Sequence, residues 1–405
     1  MGDRLKKKIA TLFLLLAIIT PALHMNANEK NNTTKKEQPD SLSIQSVSAV
    51  LLEGSTGQII YEKDKDKQLV PASITKIMTL NLVFEALESG KIKLEDTVTV
   101  SEYAAKMGGS QVYLEPGETQ SVHDMIKCIS IASANDAAVA MAEKVAGSEA
   151  EFVKKMNDKA RELGMKNTNF KNCTGLDDSI ESGHYSSAYD VALMSRELIT
   201  KHPQITKYST VWMDKITHTT KKGTSEFGLT NTNKLVRFYE GITGLKTGST
   251  SKAKYCLSAT AKRNNMDLIA VVMAAPDHKL RFSEASALLD YGFAKCSFYT
   301  DNHEKQKFEP VPIQGGIKRE ITPIPETSFH YTFTTDVDTS KITSKITYLK
   351  RNKAPIKKGA SLGKITYYYQ NNEIGFINLV AGEDIKKASY SDLLIQMIDR
   401  FFTFD

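Results

Sequence analysis

Strand patterns at the two ends of a long helical stretch most constrain the fold of this chain. Residues 43–63 alternate in polarity around a Gly-Ser-Thr-Gly turn at 54–57, which predicts a β-hairpin. Two more strands are predicted at 254–262 and 266–275, and helical periodicity dominates from about 95 to 200. Strands so far apart bury their apolar faces most simply in one shared sheet. We therefore predict an α/β sandwich whose antiparallel sheet is assembled from distant segments around a helical insert.

The residues after 297 have a different pattern. Short strand-like runs are separated by Pro and Gly turns and fall at 329–333, 342–349, 364–369 and 374–380. No long helix is predicted there before the end of the chain. We therefore predict a small all-β domain at 298–388, following a larger catalytic domain at 43–297.

The last residues, 389–405, are predicted to form an amphipathic helix. Its apolar face carries Leu394, Met397, Ile398 and Phe401. Such a helix can lie on a membrane surface through residues 392–405, or it can pack on the β domain. Three aspartates against one arginine on the polar face disfavour attraction to anionic lipid, and both interpretations stay open.

The N-terminus predicts export. Residues 1–27 have the basic start, apolar stretch and helix-breaking proline of a secretory signal, and residues 28–42 form a polar linker. An uncleaved membrane anchor is the alternative, although the apolar stretch is short for a membrane span. The net charge is +6, to which residues 1–27 contribute Arg4 and Lys6 to Lys8 against Asp3. The charge that remains is too small to predict a nucleic-acid partner.

The four cysteines lack the spacing of a metal site or a redox motif. They are Cys128, Cys173, Cys256 and Cys296. We expect free, buried thiols, and we predict no metal and no other cofactor.

A serine and a lysine three residues apart open the most apolar helical segment. Pro71 and Ala72 precede a predicted helix that starts at Ser73 and ends just before Gly90. Residues at i and i+3 share a helix face, so Lys76 can approach the Ser73 hydroxyl. Lys76 can remove the serine proton only if its pKa lies well below about 10.4.

Two later motifs turn the Ser73 and Lys76 pair into a specific indication of function. The S-x-x-K spacing recurs at Ser249, Ser251 and Ser361, so by itself it is weak evidence. Ser133-Ala134-Asn135 follows between two predicted helices, and Lys246-Thr247-Gly248 opens a strand region. A K-T-G triplet is expected by chance on the order of 0.1 times in such a chain. This ordered set is typical of penicillin-interacting serine acyl transferases.

Each motif residue fits one chemical task. Ser73 would form an acyl-enzyme, Lys76 would accept its proton, and Ser133 would relay that proton to the departing amine. Asn135 would orient the substrate amide. Lys246 would attract the substrate carboxylate and help to lower the pKa of Lys76.

The residues that follow Lys246 complete the predicted substrate site. Thr247 would hydrogen-bond the same carboxylate, and Gly248 would let the strand pass close to the ligand. The backbone N–H groups of Ser73 and Ser249 are the predicted oxyanion donors.

Over most of residues 45–385 the chain resembles the D-alanyl-D-alanine carboxypeptidase family, the low-molecular-mass penicillin-binding proteins. Besides the motifs, the resemblance rests on Gly109 to Leu114, Leu163 to Phe170, Asn231 to Leu235 and Ala354 to Gly359. It implies a β-lactamase/transpeptidase-like sandwich with a β-rich C-terminal domain. It also implies removal of the terminal D-alanine from peptidoglycan stem peptides outside the cytoplasmic membrane, acylation by β-lactams, and a membrane-associating C-terminal helix.

Departures from the family pattern affect substrate contacts. Thr232 stands where some relatives have Arg, and Ser249 stands where some have His or an aromatic residue. Ala134, which replaces a Gly of some relatives, should be neutral.

Two other functions use the same fold. A serine β-lactamase needs a second base to activate water, and no E-x-x-L-N segment lies between Asn135 and Lys246. A non-catalytic penicillin-binding scaffold should have lost a catalytic residue, and none is missing. A Ser-His-Asp hydrolase is disfavoured because no G-x-S-x-G elbow occurs, so His184 and His218 are expected to be structural.

Overall fold

The structure, a computed structural model, describes residues 42–178, 180–221, 223–333 and 335–402. The predicted signal at 1–27, and the predicted linker up to residue 41, therefore lie outside the described residues. The helices are α1 Lys76–Glu88, α2 Glu102–Ala105, α3 Val122–Ser130, α4 Asn135–Ala146, α5 Glu149–Glu162, α6 Ala188–Lys201, α7 Thr206–Ser209, α8 Leu235–Phe238, α9 Leu280–Lys295 and α10 Tyr390–Phe402, with 3₁₀ turns at Ala72–Thr75, Pro203–Ile205 and Thr339–Lys341. The strands are β1 Ser48–Glu53, β2 Ile59–Lys63, β3 Thr97–Thr99, β4 Thr119–Ser121, β5 Met213–Thr220, β6 Gly223–Thr230, β7 Ile242–Thr250, β8 Lys254–Arg263, β9 Met266–Ala275, β10 Ser297–Asp301, β11 Val311–Gln314, β12 Glu320–Ile321, β13 Ile324–Pro325, β14 Phe329–Phe333, β15 Ile342–Tyr348, β16 Asn352–Lys353, β17 Ser361–Tyr369 and β18 Asn372–Val380.

The central sheet joins the two ends of the first region. Its strand order is β2-β1-β9-β8-β7, and every neighbouring pair is antiparallel. The early strand β1 lies beside the late strand β9, with Ser48 opposite Met273. All six residues of β1 are buried, as expected for a strand covered on both faces. The predicted sheet assembled from distant segments is therefore confirmed.

The helical insert surrounds α1, the helix that carries Lys76. Every residue from Lys76 to Phe84 is buried, which is typical of a helix in the middle of a core. Lys159 of α5 links its neighbours, because its Nζ lies 2.8 Å from Glu85 of α1 and 3.1 Å from Glu197 of α6. These contacts hold the helix that carries Lys76.

The C-terminal region is rich in β-structure, as predicted. Its largest sheet has the order β13-β18-β17-β15, and smaller sheets pair β10 with β14 and β11 with β12 and β16. Aromatic rings fill one of its cores, where Phe329 stacks on Tyr367 with ring centroids 3.8 Å apart.

The C-terminal helix α10 leaves its large apolar side chains in solvent. Met397 is 70% exposed and Phe401 is 75% exposed. Gln396 Nε2 donates to the main-chain oxygens of Gly316 and Ile317, so the helix contacts the β region through its polar side. Among the described residues, no helix is both long and apolar enough to cross a membrane.

Two local features differ from the predictions. The hairpin of β5 and β6 was not predicted, because its mostly exposed, polar strands lack a clear apolar alternation. The four cysteines are free, but only Cys128, Cys173 and Cys256 are buried; Cys296 is half-buried at the end of α9.

Candidate active site

Ser73 lies in a 3₁₀ turn, and not in the first turn of an α-helix as predicted. The turn spans Ala72–Thr75, and the α-helix begins at Lys76. The sequence pattern could not separate the two, because both helix types place residues i and i+3 close together. The predicted consequence is still observed: Lys76 Nζ donates a hydrogen bond of 3.0 Å to Ser73 Oγ.

Lys76 is buried among three acceptors. Besides Ser73, its Nζ donates to Asn135 Oδ1 at 2.5 Å and to the Thr174 main-chain oxygen at 2.9 Å. Burial lowers the pKa of Lys76 to about 7, although Cys173 and Asp136 oppose the shift. Near neutral pH a large fraction of this amine is therefore unprotonated and able to accept the Ser73 proton.

Lys246 is buried too, and it lies close enough to Lys76 for their positive charges to repel each other. Burial lowers the pKa of Lys246 well below its ordinary value, and the nearby charges of Lys76 and Arg281 lower it further. Desolvation is the largest cause of the low pKa of Lys76.

Ser133 and Ala134 lie between α3 and α4, and Asn135 is the first residue of α4. Ser133 has a φ of +62°, and its buried Oγ has no hydrogen-bond partner among the described residues. The Asn135 side chain holds Lys76 through Oδ1 and donates from Nδ2 to the Gly108 oxygen at 2.7 Å. The structure thus joins Ser73, Lys76 and Asn135 directly, whereas Ser133 contributes a hydroxyl free to bond elsewhere.

The third motif passes beside the Ser73 turn. Thr247 Oγ1 donates to Thr232 Oγ1 at 2.7 Å, and Ser249 is exposed. A Cβ on Gly248 would lie 2.7 Å from the Pro71 oxygen and 3.1 Å from the Ile74 nitrogen. The strand at Gly248 therefore passes close to the turn that carries the nucleophile.

His184 and His218, the two histidines considered for a Ser-His-Asp hydrolase, have structural partners. His184 Nε2 lies 2.9 Å from Thr75 Oγ1, its Nδ1 accepts from the Lys171 N–H, and burial lowers its pKa to about 4. His218 Nδ1 lies 2.8 Å from a Glu118 oxygen. Neither has a hydrogen bond to Ser73 within the described part of the chain, which agrees with their predicted structural role.

Gly175 brings the loop at 173–177 against the Ser73 turn. Its φ is +81°, and a Cβ there would lie 1.8 Å from the Ala72 oxygen, a distance that no rearrangement of side chains relieves. The preceding residue, Thr174, supplies the oxygen that accepts a hydrogen bond from Lys76.

The Gly175→Ala variant is expected to lose about 3 kcal/mol of unfolding free energy, because backbone must move to admit the methyl group. The measurement is urea denaturation followed by circular dichroism. Gly147→Ala is the matched control, since its φ is +83° but a Cβ there meets nothing within 4 Å. Left-handed strain alone should cost about 1 kcal/mol. Equal losses for the two variants would show that the contact with Ala72 is unimportant.

Comparison with known proteins identifies the family. A family model described as D-alanyl-D-alanine carboxypeptidase matches residues 32–277, and one described as penicillin-binding protein 5, C-terminal domain, matches residues 295–387. The chain belongs to the D-alanyl-D-alanine carboxypeptidase family. It is 42% identical to D-alanyl-D-alanine carboxypeptidase DacF of Bacillus subtilis, over 96% of this chain and 97% of the relative. It is 31% identical to DacA of Escherichia coli over 98% of this chain and 97% of that protein.

A solved structure of the same family shares the fold. Penicillin-binding protein 5 from Haemophilus influenzae superposes with a TM-score of 0.70 and 31% identity, covering 85% of this chain and 98% of that one. The resemblance inferred from the motifs and the predicted fold class are both confirmed.

Two site residues of this carboxypeptidase family member were missed by the sequence reasoning. Arg281, at the start of α9, donates from a guanidinium nitrogen to the Gly248 oxygen at 3.2 Å, and its Nε is buried without a partner among the described residues. Asp136 accepts the N–H groups of Val112 and Leu114. No motif marked Arg281, whereas Asp136 directly follows Asn135 and could have been suspected from that position.

Proposed function

We propose that this chain is a serine-type D-Ala-D-Ala carboxypeptidase that removes the terminal D-alanine from peptidoglycan stem pentapeptides. The observation that carries the proposal is the hydrogen bond of 3.0 Å from Lys76 Nζ to Ser73 Oγ, made by a lysine whose pKa burial lowers to about 7. Membership of the family supports the substrate class.

The proposed reaction has two steps. Ser73 Oγ gives its proton to Lys76 and attacks the carbonyl carbon of the penultimate D-alanine, while the N–H groups of Ser73 and Ser249 hold the oxyanion. Ser133 relays this proton from Lys76 to the leaving nitrogen, the amide C–N bond breaks, and D-alanine departs. Water then attacks the acyl-enzyme ester, which releases the shortened peptide and restores the Ser73 hydroxyl.

Recognition of the substrate carboxylate is assigned to the strand β7 and its neighbours. Lys246 and Thr247 would bind the carboxylate, and Arg281 lies close enough to lower the pKa of Lys246. An arriving carboxylate would favour the protonated form of Lys246 and repay part of its desolvation. With Thr232 in place of an arginine, these residues carry more of the carboxylate recognition. Asn135 keeps its proposed task of orienting the substrate amide.

The domain limits and the location remain parts of the proposal. We assign the catalytic domain to 43–297, the β-rich domain to 298–388 and the terminal helix to 389–405. A cell-wall enzyme acts outside the cytoplasm, and export would use the signal at 1–27. After export, α10 would make a peripheral contact with the membrane surface. The exposed Met397 and Phe401 favour that contact. β-Lactams are expected to acylate Ser73 as substrate analogues.

Release of D-alanine from a peptide ending in D-Ala-D-Ala tests the function. We expect D-alanine from the purified protein, and none after pretreatment with benzylpenicillin. Covalent labelling without D-alanine release would indicate the penicillin-binding scaffold. Rapid hydrolysis of the penicillin, with no lasting label, would indicate the β-lactamase.

A further inference from the structure

Two adjoining cavities beside α1 form one groove away from the Ser73 site. Their volumes are 490 and 260 Å³, and they share Leu94, Lys207 and Tyr208. The apolar part of the lining consists of Phe84, Leu87, Ile92, Leu94, Ile131 and Val211. No motif residue lines either cavity. We call the combined cavity the lysine groove.

The rim of the larger cavity is positively charged. Lys93, Lys201 and Lys207 line it and are exposed, and their ammonium groups have no hydrogen bond or ion pair with any described residue. Glu88 is the one acidic residue in the described lining of this cavity, and its carboxylate lies 3.4 Å from His202 Nδ1. The lining of the larger cavity therefore carries three positive charges and one negative charge.

Apart from the shared Lys207, the smaller cavity is close to neutral. Its Lys127 lies 3.0 Å from Asp214, so these charges compensate each other. Tyr208 lines both cavities, and its hydroxyl has no hydrogen-bond partner among the described residues. The groove thus combines an apolar floor, a free hydroxyl donor and an excess of positive charge at one end.

We propose that the lysine groove binds a single-chain amphipathic anion. Its carboxylate or phosphate head would lie among Lys93, Lys201 and Lys207, and its hydrocarbon chain would cover the apolar floor. The volume falls within the range of about 300–1,000 Å³ typical of small-molecule sites. A cationic amphiphile would be repelled by the rim, and a neutral one would gain no attraction from the ammonium groups. This site is independent of the proposed carboxypeptidase activity.

Calorimetric titration of the full chain with decanoate and with decyl phosphate tests the proposal. We expect one site for at least one of these anions, and binding of decyltrimethylammonium at least about tenfold weaker. Joint substitution Lys93→Gln, Lys201→Gln and Lys207→Gln should weaken the anion at least about tenfold. Tighter binding of decyl phosphate would identify a phosphate head, and tighter binding of decanoate a carboxylate head.

The matched control removes three exposed lysines from the C-terminal β region, through Lys345→Gln, Lys350→Gln and Lys353→Gln. This variant has the same total charge as the groove variant and should bind as the unmodified chain does. The Ser73→Ala variant should also bind normally, because the groove shares no lining residue with the motifs. Equal binding of anion and cation would overturn the proposal, as would full binding by the groove variant, which would place the ligand on another surface such as α10.

Discussion

Replacing Ser73 with alanine is expected to abolish covalent labelling by a fluorescent penicillin and to reduce D-alanine release at least about 10⁴-fold. Ser73 Oγ is the atom that would form the acyl bond, and Lys76 Nζ already donates to it at 3.0 Å. The alanine variant should fold normally, because the serine is only half-buried and its loss removes one hydroxyl. Gel fluorescence measures the label, and an enzymatic assay measures free D-alanine.

Ser361→Ala is the control for this experiment. Ser361 also precedes a lysine by three residues, but it is exposed at the start of β17, where the chain is extended. Labelling of the Ser361→Ala protein should equal that of the unmodified chain. A label that persists in the Ser73→Ala protein would place the acyl bond on another residue and contradict the proposed mechanism.

The strands of the central sheet and the contact between Ser73 and Lys76 could be predicted because both follow from local sequence patterns. The strands at 254–262 and 266–275 are observed at Lys254–Arg263 and Met266–Ala275, since long apolar strands with turns between them have few alternatives. The spacing of Ser73 and Lys76 specified their contact whether the backbone formed an α-helix or a 3₁₀ turn. Structural features that follow from the pattern of a short segment could therefore be predicted from the sequence.

The environment of the site could not be predicted, because it depends on tertiary contacts. The Thr174 oxygen accepts from Lys76 across 98 residues, and Arg281 reaches the Gly248 oxygen across 33 residues. No local pattern encodes such a pairing. The low pKa of Lys76 depends on burial, which is a property of the whole fold and not of a local pattern.

Replacing Lys76 with methionine is expected to slow acylation by penicillin by up to about 10⁴-fold, the upper range for loss of a general base. Methionine preserves much of the apolar stem but cannot accept the Ser73 proton or donate to Asn135 and Thr174. In the unmodified protein, acylation should fall as the pH drops through about 7, because protonated Lys76 cannot act as a base. Above that pH the rate should level off. Stopped-flow labelling with fluorescent penicillin between about pH 5.5 and 9 measures the profile.

The shape of the pH profile identifies the base more directly than the loss of rate. If Lys76 is the titrating group, the residual rate of the Lys76→Met protein should lose the step near pH 7. A step that persists in this variant would assign the titration to another group, with Lys246 as the nearest candidate, since burial also lowers its pKa. Lys154→Met is the control, because Lys154 is exposed on α5 and pairs only with Glu151 among the described residues. In the Lys154→Met protein, both the acylation rate and the step near pH 7 should be unchanged. This result would separate proton transfer by a buried amine from the simple loss of a positive charge.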